Sequence, residues 1–476
     1  MASWSVGLFL ILTAAAFAAL GVGYARRRVG SLEDYITARG SVGPLAAAVT
    51  LVASGMGAWI LFSPAEAATR GGLPTLLGYG LGAAAPLVAF VPLGRRLRQL
   101  MPAGHTLTEY VWHRYGRGMY VFTLLVMLFY MFIYLAAETT GMALLAHLVA
   151  GLPLWLTAAV VLAATLLYTA YGGLRASIFT DSLQALLILP LLVALLLVGG
   201  AALGGVAQVT EALRARAPQL LQWHYGPGIE VALTLIVAIL AANLFHQGYW
   251  QRVYAVRDAA ALRAAFLIAA LLVIPIVAAV GLFGLAAVAL ERAQTPSVAL
   301  FHVLLGTIPE WLVVGLVLLG LALAMSSVDT LCNGIASLVA VDLHRALPQL
   351  SARALLRVSR IVTVGLALPV LWIAAQGYSV LYLFLIADLV CAAAVFPVFF
   401  GLYSARYTGT VAVLSTLAGL LAGGLLFPPP DFGRGSLLGA FVLAALVPVG
   451  VSLVLTPRRA AFDFTRLQRQ VQLIQE

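Results

Sequence analysis

Apolar residues run along this chain in long blocks, each closed by a short polar or Gly/Pro break. A helix that crosses a bilayer needs about 20 mostly apolar residues. Thirteen such runs can be marked, near 4–24, 43–69, 74–94, 118–148, 153–171, 177–204, 229–249, 262–290, 309–341, 356–375, 378–402, 408–427 and 435–456. The pattern predicts an all-α membrane protein, a bundle of about 13 transmembrane helices joined by short loops. Two hydrophilic stretches stand out, 208–228 and the basic tail 457–476 with Arg458, Arg459, Arg466 and Arg469, and neither is long enough for a second domain. The first run is long and is followed by a basic cluster, so it reads as a span rather than a cleaved signal.

Composition strengthens this reading. Hydrophobic residues make up 63% of the 476 and charged residues 9%, with a mean hydropathy of +1.05, which excludes a soluble domain. All 27 basic residues are arginine. On a thirteen-span alternation 22 of them fall on the side of the first loop, leaving only Arg70, Arg214, Arg216, Arg292 and Arg434 opposite. The positive-inside rule then predicts an integral plasma (inner) membrane protein with its N-terminus outside and its C-terminus in the cytoplasm. The net charge of +10 is explained by anionic membrane lipid, with no nucleic-acid partner required. Cys332 and Cys391 lie inside apolar runs as packing residues. Neither an HExxH nor a Ser/His/Asp arrangement is present, so an enzyme is not expected.

The informative positions are polar residues at bilayer depth, which need a reason to be there. Ser326-Ser327-Val328-Asp329-Thr330 packs oxygen atoms inside the ninth run, and oxygen ligands suit a dehydrated hard cation such as Na+. In the second run, Ala53-Ser54-Gly55-Met56-Gly57-Ala58 allows the helix to unwind and free backbone carbonyls; close helix packing through small residues is the bland reading. Five runs later Asn243-Leu244-Phe245-His246-Gln247 interrupts the seventh. Breaks in the second and seventh runs sit at corresponding positions of two five-helix inverted repeats, the arrangement of a secondary transporter. Trp250 and Arg252, just beyond, read as an interfacial belt at the cytoplasmic end.

Four further stretches add order and spacing: Gly30-Ser31-Leu32-Glu33-Asp34-Tyr35 with Ala38-Arg39-Gly40; Thr106-Leu107-Thr108-Glu109-Tyr110 with Arg114-Tyr115-Gly116; Tyr171-Gly172-Gly173-Leu174-Arg175 followed by Thr180-Asp181-Ser182-Leu183-Gln184; and Met325-Ser326-Ser327 through Asp342. Together they resemble the solute:sodium symporter family. The resemblance implies a LeuT-like 5+5 inverted-repeat core, with repeats at 43–206 and 207–402. An N-terminal helix and loop (1–42) would precede it, and two accessory helices (403–456) and the tail (457–476) would follow.

The resemblance also implies a sodium site made by the carbonyls of Ala53, Met56 and Leu323 and the hydroxyls of Ser326 and Ser327. Residues 323, 326 and 327 stand at i, i+3 and i+4 on one helix face, although serines that bond back to the preceding turn show the same spacing. Asp181 would offset the ion's charge or, with Asp329 and Thr330, form a second, more cytoplasmic position; a salt bridge to Arg175 is the plain alternative. Some family members carry an acidic residue where this chain has Gly55, and Glu138 in the fourth run could take over charge compensation or contact the solute. Substrate-lining candidates are Gly57, Trp59, Glu138, Asn243, His246, Gln247 and, in the eleventh run, Tyr382 or Asp388. Tyr249-Trp250-Gln251-Arg252 resembles urea and polyamine members, which favours a small polar, nitrogenous solute. The expected activity is Na+-coupled import by alternating access, with Na+ as coupling ion and no other cofactor. A proton-coupled carrier using Glu138, Asp181 and His246 is the nearest alternative, and a sensor of the same fold is more distant because the tail offers no output domain.

Overall fold

Eighteen α-helices and three short 3-10 turns make up residues 3–28, 32–430, 434–457 and 461–471, the part of the chain described by this computed structural model. Gly30 and Ser31 of the first loop and Arg458 and Arg459 of the tail lie outside these residues. In chain order the helices are α1 (Ser3–Arg28), α2 (Leu32–Ile36), α3 (Pro44–Gly55), α4 (Ser63–Leu100), α5 (Leu107–Tyr115), α6 (Arg117–Ala150), α7 (Leu154–Ala202), α8 (Gly205–Arg216) and α9 (Gly226–Asn243). There follow α10 (Gln247–Ala255), α11 (Ala259–Ala289), α12 (Ala299–Leu304), α13 (Glu310–Ala346), α14 (Ala352–Ala374), α15 (Val380–Phe400), α16 (Gly409–Gly424), α17 (Leu437–Leu455) and α18 (Thr465–Gln470). No strand occurs among the described residues, whose one bridge pairs Val42 with Val256.

Ten of these helices are long and apolar enough to cross a membrane, three fewer than the thirteen expected. The shortfall has a physical origin. Helices α3 and α16 are shorter, at 12 and 16 residues, and α7 runs for 49 residues. At 1.5 Å per residue α7 would extend about 74 Å, more than twice the hydrocarbon thickness, and it turns at Gly173 (φ 53°, ψ −149°). A methyl group there would strike Tyr35, so glycine is required both for the left-handed φ and for the space. Gly72 (φ 64°, ψ −152°) makes the equivalent turn within α4, against the backbone of Leu220.

Helix α13 lies at the centre, with 78% of its most apolar window buried, whereas α7, α14 and α17 each bury 28% and face outward. That ordering follows from polarity: Ser326, Ser327, Asp329 and Thr330 sit on α13 and can be satisfied only inside protein. Helix α4 packs along α11 and α9, where Gly78, Gly80 and Gly82 lie directly against Ala232, Ile274 and Leu235. The accessory pair α16 and α17 packs on itself and on α15.

The loop motifs join one end of the bundle. Thr106 accepts from the Glu109 N–H at 3.2 Å, capping α5, while the Glu109 carboxylate reaches back to accept from the His105 N–H at 2.9 Å, one residue before the cap. Glu33 bonds Thr37, Arg39 and His105 at 2.6, 2.8 and 2.8 Å. Burial works against the Glu33 charge, yet the His105 contact and its neighbours hold the carboxyl down at about 2. Burial likewise opposes protonation of His105, and the flanking Glu109 and Glu33 carboxylates outweigh it, raising the imidazole to about 9. Asp34 pairs with Arg175 at 2.6 Å, so Arg175 is engaged with the first loop rather than with Asp181.

Candidate functional site

Helix α3 ends at Gly55. Met56 (φ −95°, ψ 88°) and Gly57 (φ −87°, ψ −171°) leave helical geometry before a 3-10 turn over Ala58–Leu61. Unwinding frees main-chain groups that need partners at this depth, and side chains supply some of them. Ser327 Oγ donates to the Ser54 carbonyl at 3.1 Å. The Gly55 carbonyl accepts from Trp59 Nε1 at 3.1 Å and from the Tyr134 hydroxyl at 3.5 Å. The carbonyls of Ala53 and Met56 accept no hydrogen bond among the described residues. On the far side of the break the Ala58 N–H donates to Glu138 Oε2 at 2.5 Å, while Oε1 has no hydrogen-bond partner among the described residues. Glu138 is thus a cap for the second half of the broken helix, and a methyl group at Gly57 would overlap its carboxylate.

The second break runs from Leu244 to His246, between α9 and α10. His246 caps α10, its Nδ1 accepting from the Gly248 N–H at 3.1 Å. Gln247 turns away to the loop before α5, donating to the His105 carbonyl at 2.9 Å. The interfacial belt expected of Trp250 and Arg252 is corrected: both are fully buried, at 0% and 1% exposure. Trp250 Nε1 donates to the Leu244 carbonyl at 2.8 Å. The Arg252 guanidinium is drawn inward because Asp181, at zero exposure, needs a counter-charge that bulk water does not provide there.

Around that pair α3, α7, α10 and α13 converge. Arg252 Nη2 lies 2.8 Å from Asp181 Oδ2 and 3.0 Å from both Thr50 and Thr330 Oγ1. Thr50 also donates to Asp181, and Ser326 Oγ donates to its other oxygen at 2.5 Å. One turn along, Asp329 accepts from Tyr168, Ser177 and Thr180 at 2.7, 2.8 and 3.1 Å. The buried set therefore holds two carboxylates and one guanidinium, an excess of acid in a nest of hydroxyls. Thr50, Tyr168, Ser177 and Arg252 escaped the sequence reading; the available signal was that an intramembrane carboxylate requires a cationic or hydroxyl partner.

A central cavity opens between α3, α4, α6, α9, α11 and α15. Of the expected liners it contains Trp59, Asn243 and Asp388. Gly57, Glu138, His246, Gln247 and Tyr382 do not line it. Gly57 and Glu138 lie at the break beneath it, the His246 ring packs against Tyr134 and Tyr249, and the Tyr382 hydroxyl donates to the Pro428 carbonyl at 3.3 Å. The rest of the cavity wall is aliphatic and aromatic. Tyr79, Tyr130, Tyr134, Tyr249 and Phe384 join Trp59, which stacks on Tyr79 at 5.7 Å between centroids.

Comparison with known proteins agrees with this architecture. The sequence model of the sodium:solute symporter family matches residues 35–419. A spermidine transporter of Candida albicans is 27% identical over 425 residues, covering 88% of this chain and 76% of the relative. An osmoregulated proline transporter of Bacillus subtilis is 26% identical over 235 residues, 47% of this chain and 46% of that one. The fold matches that of a Na+-coupled sialic acid symporter with a TM-score of 0.76, at 18% identity over 96% of this chain and 99% of the other. A nucleobase-cation-symport-1 transporter, Mhp1, matches with a TM-score of 0.55 at 15% identity, over 88% and 95%.

Proposed function

Because the chain belongs to the sodium:solute symporter family, we propose that it imports a small polar, nitrogenous solute by Na+ symport and alternating access. It is an integral membrane protein and a sodium-coupled solute transporter rather than an enzyme. The finer reading is that Na+ sits between the break of α3 and the paired serines of α13. The observation that carries it is the pair of carbonyls at Ala53 and Met56 that accept no hydrogen bond among the described residues, beside a break already tied to Ser327. With the Leu323 carbonyl and the Ser326 and Ser327 hydroxyls they form an all-oxygen donor set suited to a hard cation. Asp181 and Asp329 outnumber the single Arg252, and their carboxylate oxygens lie within the same oxygen-rich region. The nitrogenous solute is supported by the spermidine transporter among the relatives.

Na+ bound there would tie α3 to α13 and hold the outward-open form, and its release to a sodium-poor cytoplasm would drive the cycle. One charge moving down the membrane potential supplies about 2.3 kcal/mol per 100 mV, enough for a solute gradient of roughly fiftyfold. The arginine asymmetry supports an external N-terminus and a cytoplasmic C-terminus; with Arg252 in the interior it becomes 21 against five. The test is uptake of radiolabelled spermidine into proteoliposomes under imposed Na+ or H+ gradients. Uptake driven by Na+ alone supports the reading, whereas equal uptake with and without Na+ defeats it and favours proton coupling.

A further inference from the structure

Asp388 is the one acidic side chain on the wall of the central cavity, and no arginine or histidine lines the cavity with it. It is 4% exposed and, among the described residues, has no hydrogen bond and no ion pair. A carboxylate removed from water without a partner is costly, and every other strongly buried carboxylate near the breaks has at least one. Lining the same cavity are the rings of Trp59, Tyr79, Tyr130, Tyr134 and Phe384, Phe384 one helical turn from Asp388 and edge to face with Tyr134 at 4.7 Å. Aromatic faces attract a positive charge through their quadrupole, most strongly where water is excluded. An unpaired carboxylate that shares a cavity with a ring cluster has the chemistry of an ammonium site.

The break in α3 adds a second element of selection. The N-terminus of a half-helix is where a substrate carboxylate would be held. Here the Ala58 N–H is already taken by Glu138, in a space that Gly57 keeps clear. An incoming carboxylate would find that donor already engaged.

We propose that the cavity binds an organic ammonium cation, with Asp388 as its counter-ion and the aromatic wall around its positive head, and that Glu138 excludes carboxylated solutes by occupying the half-helix terminus. This narrows the solute of the symport reading to a chemical class and rests on that reading for coupling alone. Binding to the purified full-length protein tests it, by calorimetry with spermidine, ethylammonium, proline and sialic acid, each with and without NaCl.

The two amines bind and the two carboxylated solutes do not. Asp388→Asn weakens spermidine by about thirtyfold or more, the scale for losing one partner of a buried charge pair, and Asp388→Glu recovers part of it. The shift in Tm induced by Na+ alone, recorded on the same Asp388→Asn protein, reports folding and the sodium site separately. Tight binding of proline or sialic acid by the wild type overturns the proposal, as does unchanged spermidine affinity in Asp388→Asn. Loss of the Na+ shift in the wild type, with amine binding intact, overturns the sodium reading and leaves this one standing.

Discussion

Asp181 and Asp329 on one side of the α3 break, and Asp388 on the other, are equally hidden from solvent and very differently accompanied. Asp181 has a guanidinium and two hydroxyls, and Asp329 has four hydroxyls. Asp388 has an aromatic wall and a space. The first region is matched internally and ties four helices together; the second is matched only when something enters. A buried charge with its partners in place holds structure, and one without them is a binding element.

The comparison breaks most readily at Arg252. Arg252→Met leaves Asp181 buried and unpaired, a loss of about 3–5 kcal/mol, read as a large drop in Tm in detergent. The double variant Arg252→Met/Asp181→Leu recovers much of that loss, because no charge is stranded. Asp388→Asn, by contrast, leaves the Tm of the ligand-free protein unchanged or higher. If Arg252→Met is no more destabilising than Asp388→Asn, the distinction between matched and unmatched carboxylates fails.

A smaller effect sharpens the boundary between the regions. Gly57→Ala forces a methyl group into the Glu138 carboxylate and costs about 1–3 kcal/mol, the usual range for overpacking. Adding Glu138→Ala relieves the clash, so thermal unfolding of the double variant lies above that of Gly57→Ala. Smaller again, Ser326→Ala and Ser327→Ala each remove one hydroxyl worth about 1 kcal/mol. Each raises the Na+ concentration for half-maximal uptake by roughly fivefold, with solute affinity in saturating Na+ little changed.

The weakest effect lies outside the membrane, in the matched cluster of Glu33, His105 and Glu109. His105 is raised to about 9 in the folded protein, so its contribution is complete below the ordinary imidazole range near 6.5 and is lost as the pH rises through about 9. Glu33, held at about 2, contributes above its ordinary value near 4.5 and loses that contribution only as the pH falls through about 2. Wild-type stability therefore declines between pH 6.5 and 9, by on the order of 1 kcal/mol after allowance for the partly exposed Glu33 partner, read as a falling Tm. His105→Gln flattens that slope.

Much of the architecture was legible because lipid imposes a severe grammar: apolar runs of spanning length, arginine asymmetry and polar or glycine-bearing breaks at matching positions. The proximity of the α3 break to Ser327 was anticipated, and the structure places them in contact at 3.1 Å. Arg252 was misread because a charge near the end of a span resembles an interfacial anchor, and only the position of Asp181 reveals that it points inward. Gln247 and His246 were assigned to the solute because polar residues at a break resemble ligands, yet one serves a loop and the other caps a helix.

By itself the sequence determined the class of molecule, its family and the two places where helices break, since these depend on hydropathy and local backbone freedom counted along one dimension. Which carboxylate meets a partner and which faces empty space was decided by the tertiary structure alone. That choice depends on segments far apart in the chain arriving at one point: Thr50, Asp181, Arg252 and Ser326 at one, Trp59, Tyr79, Tyr134 and Asp388 at the other. In a low-dielectric interior a charge is governed by the few atoms within several ångströms, and spacing in the sequence does not report which atoms those are.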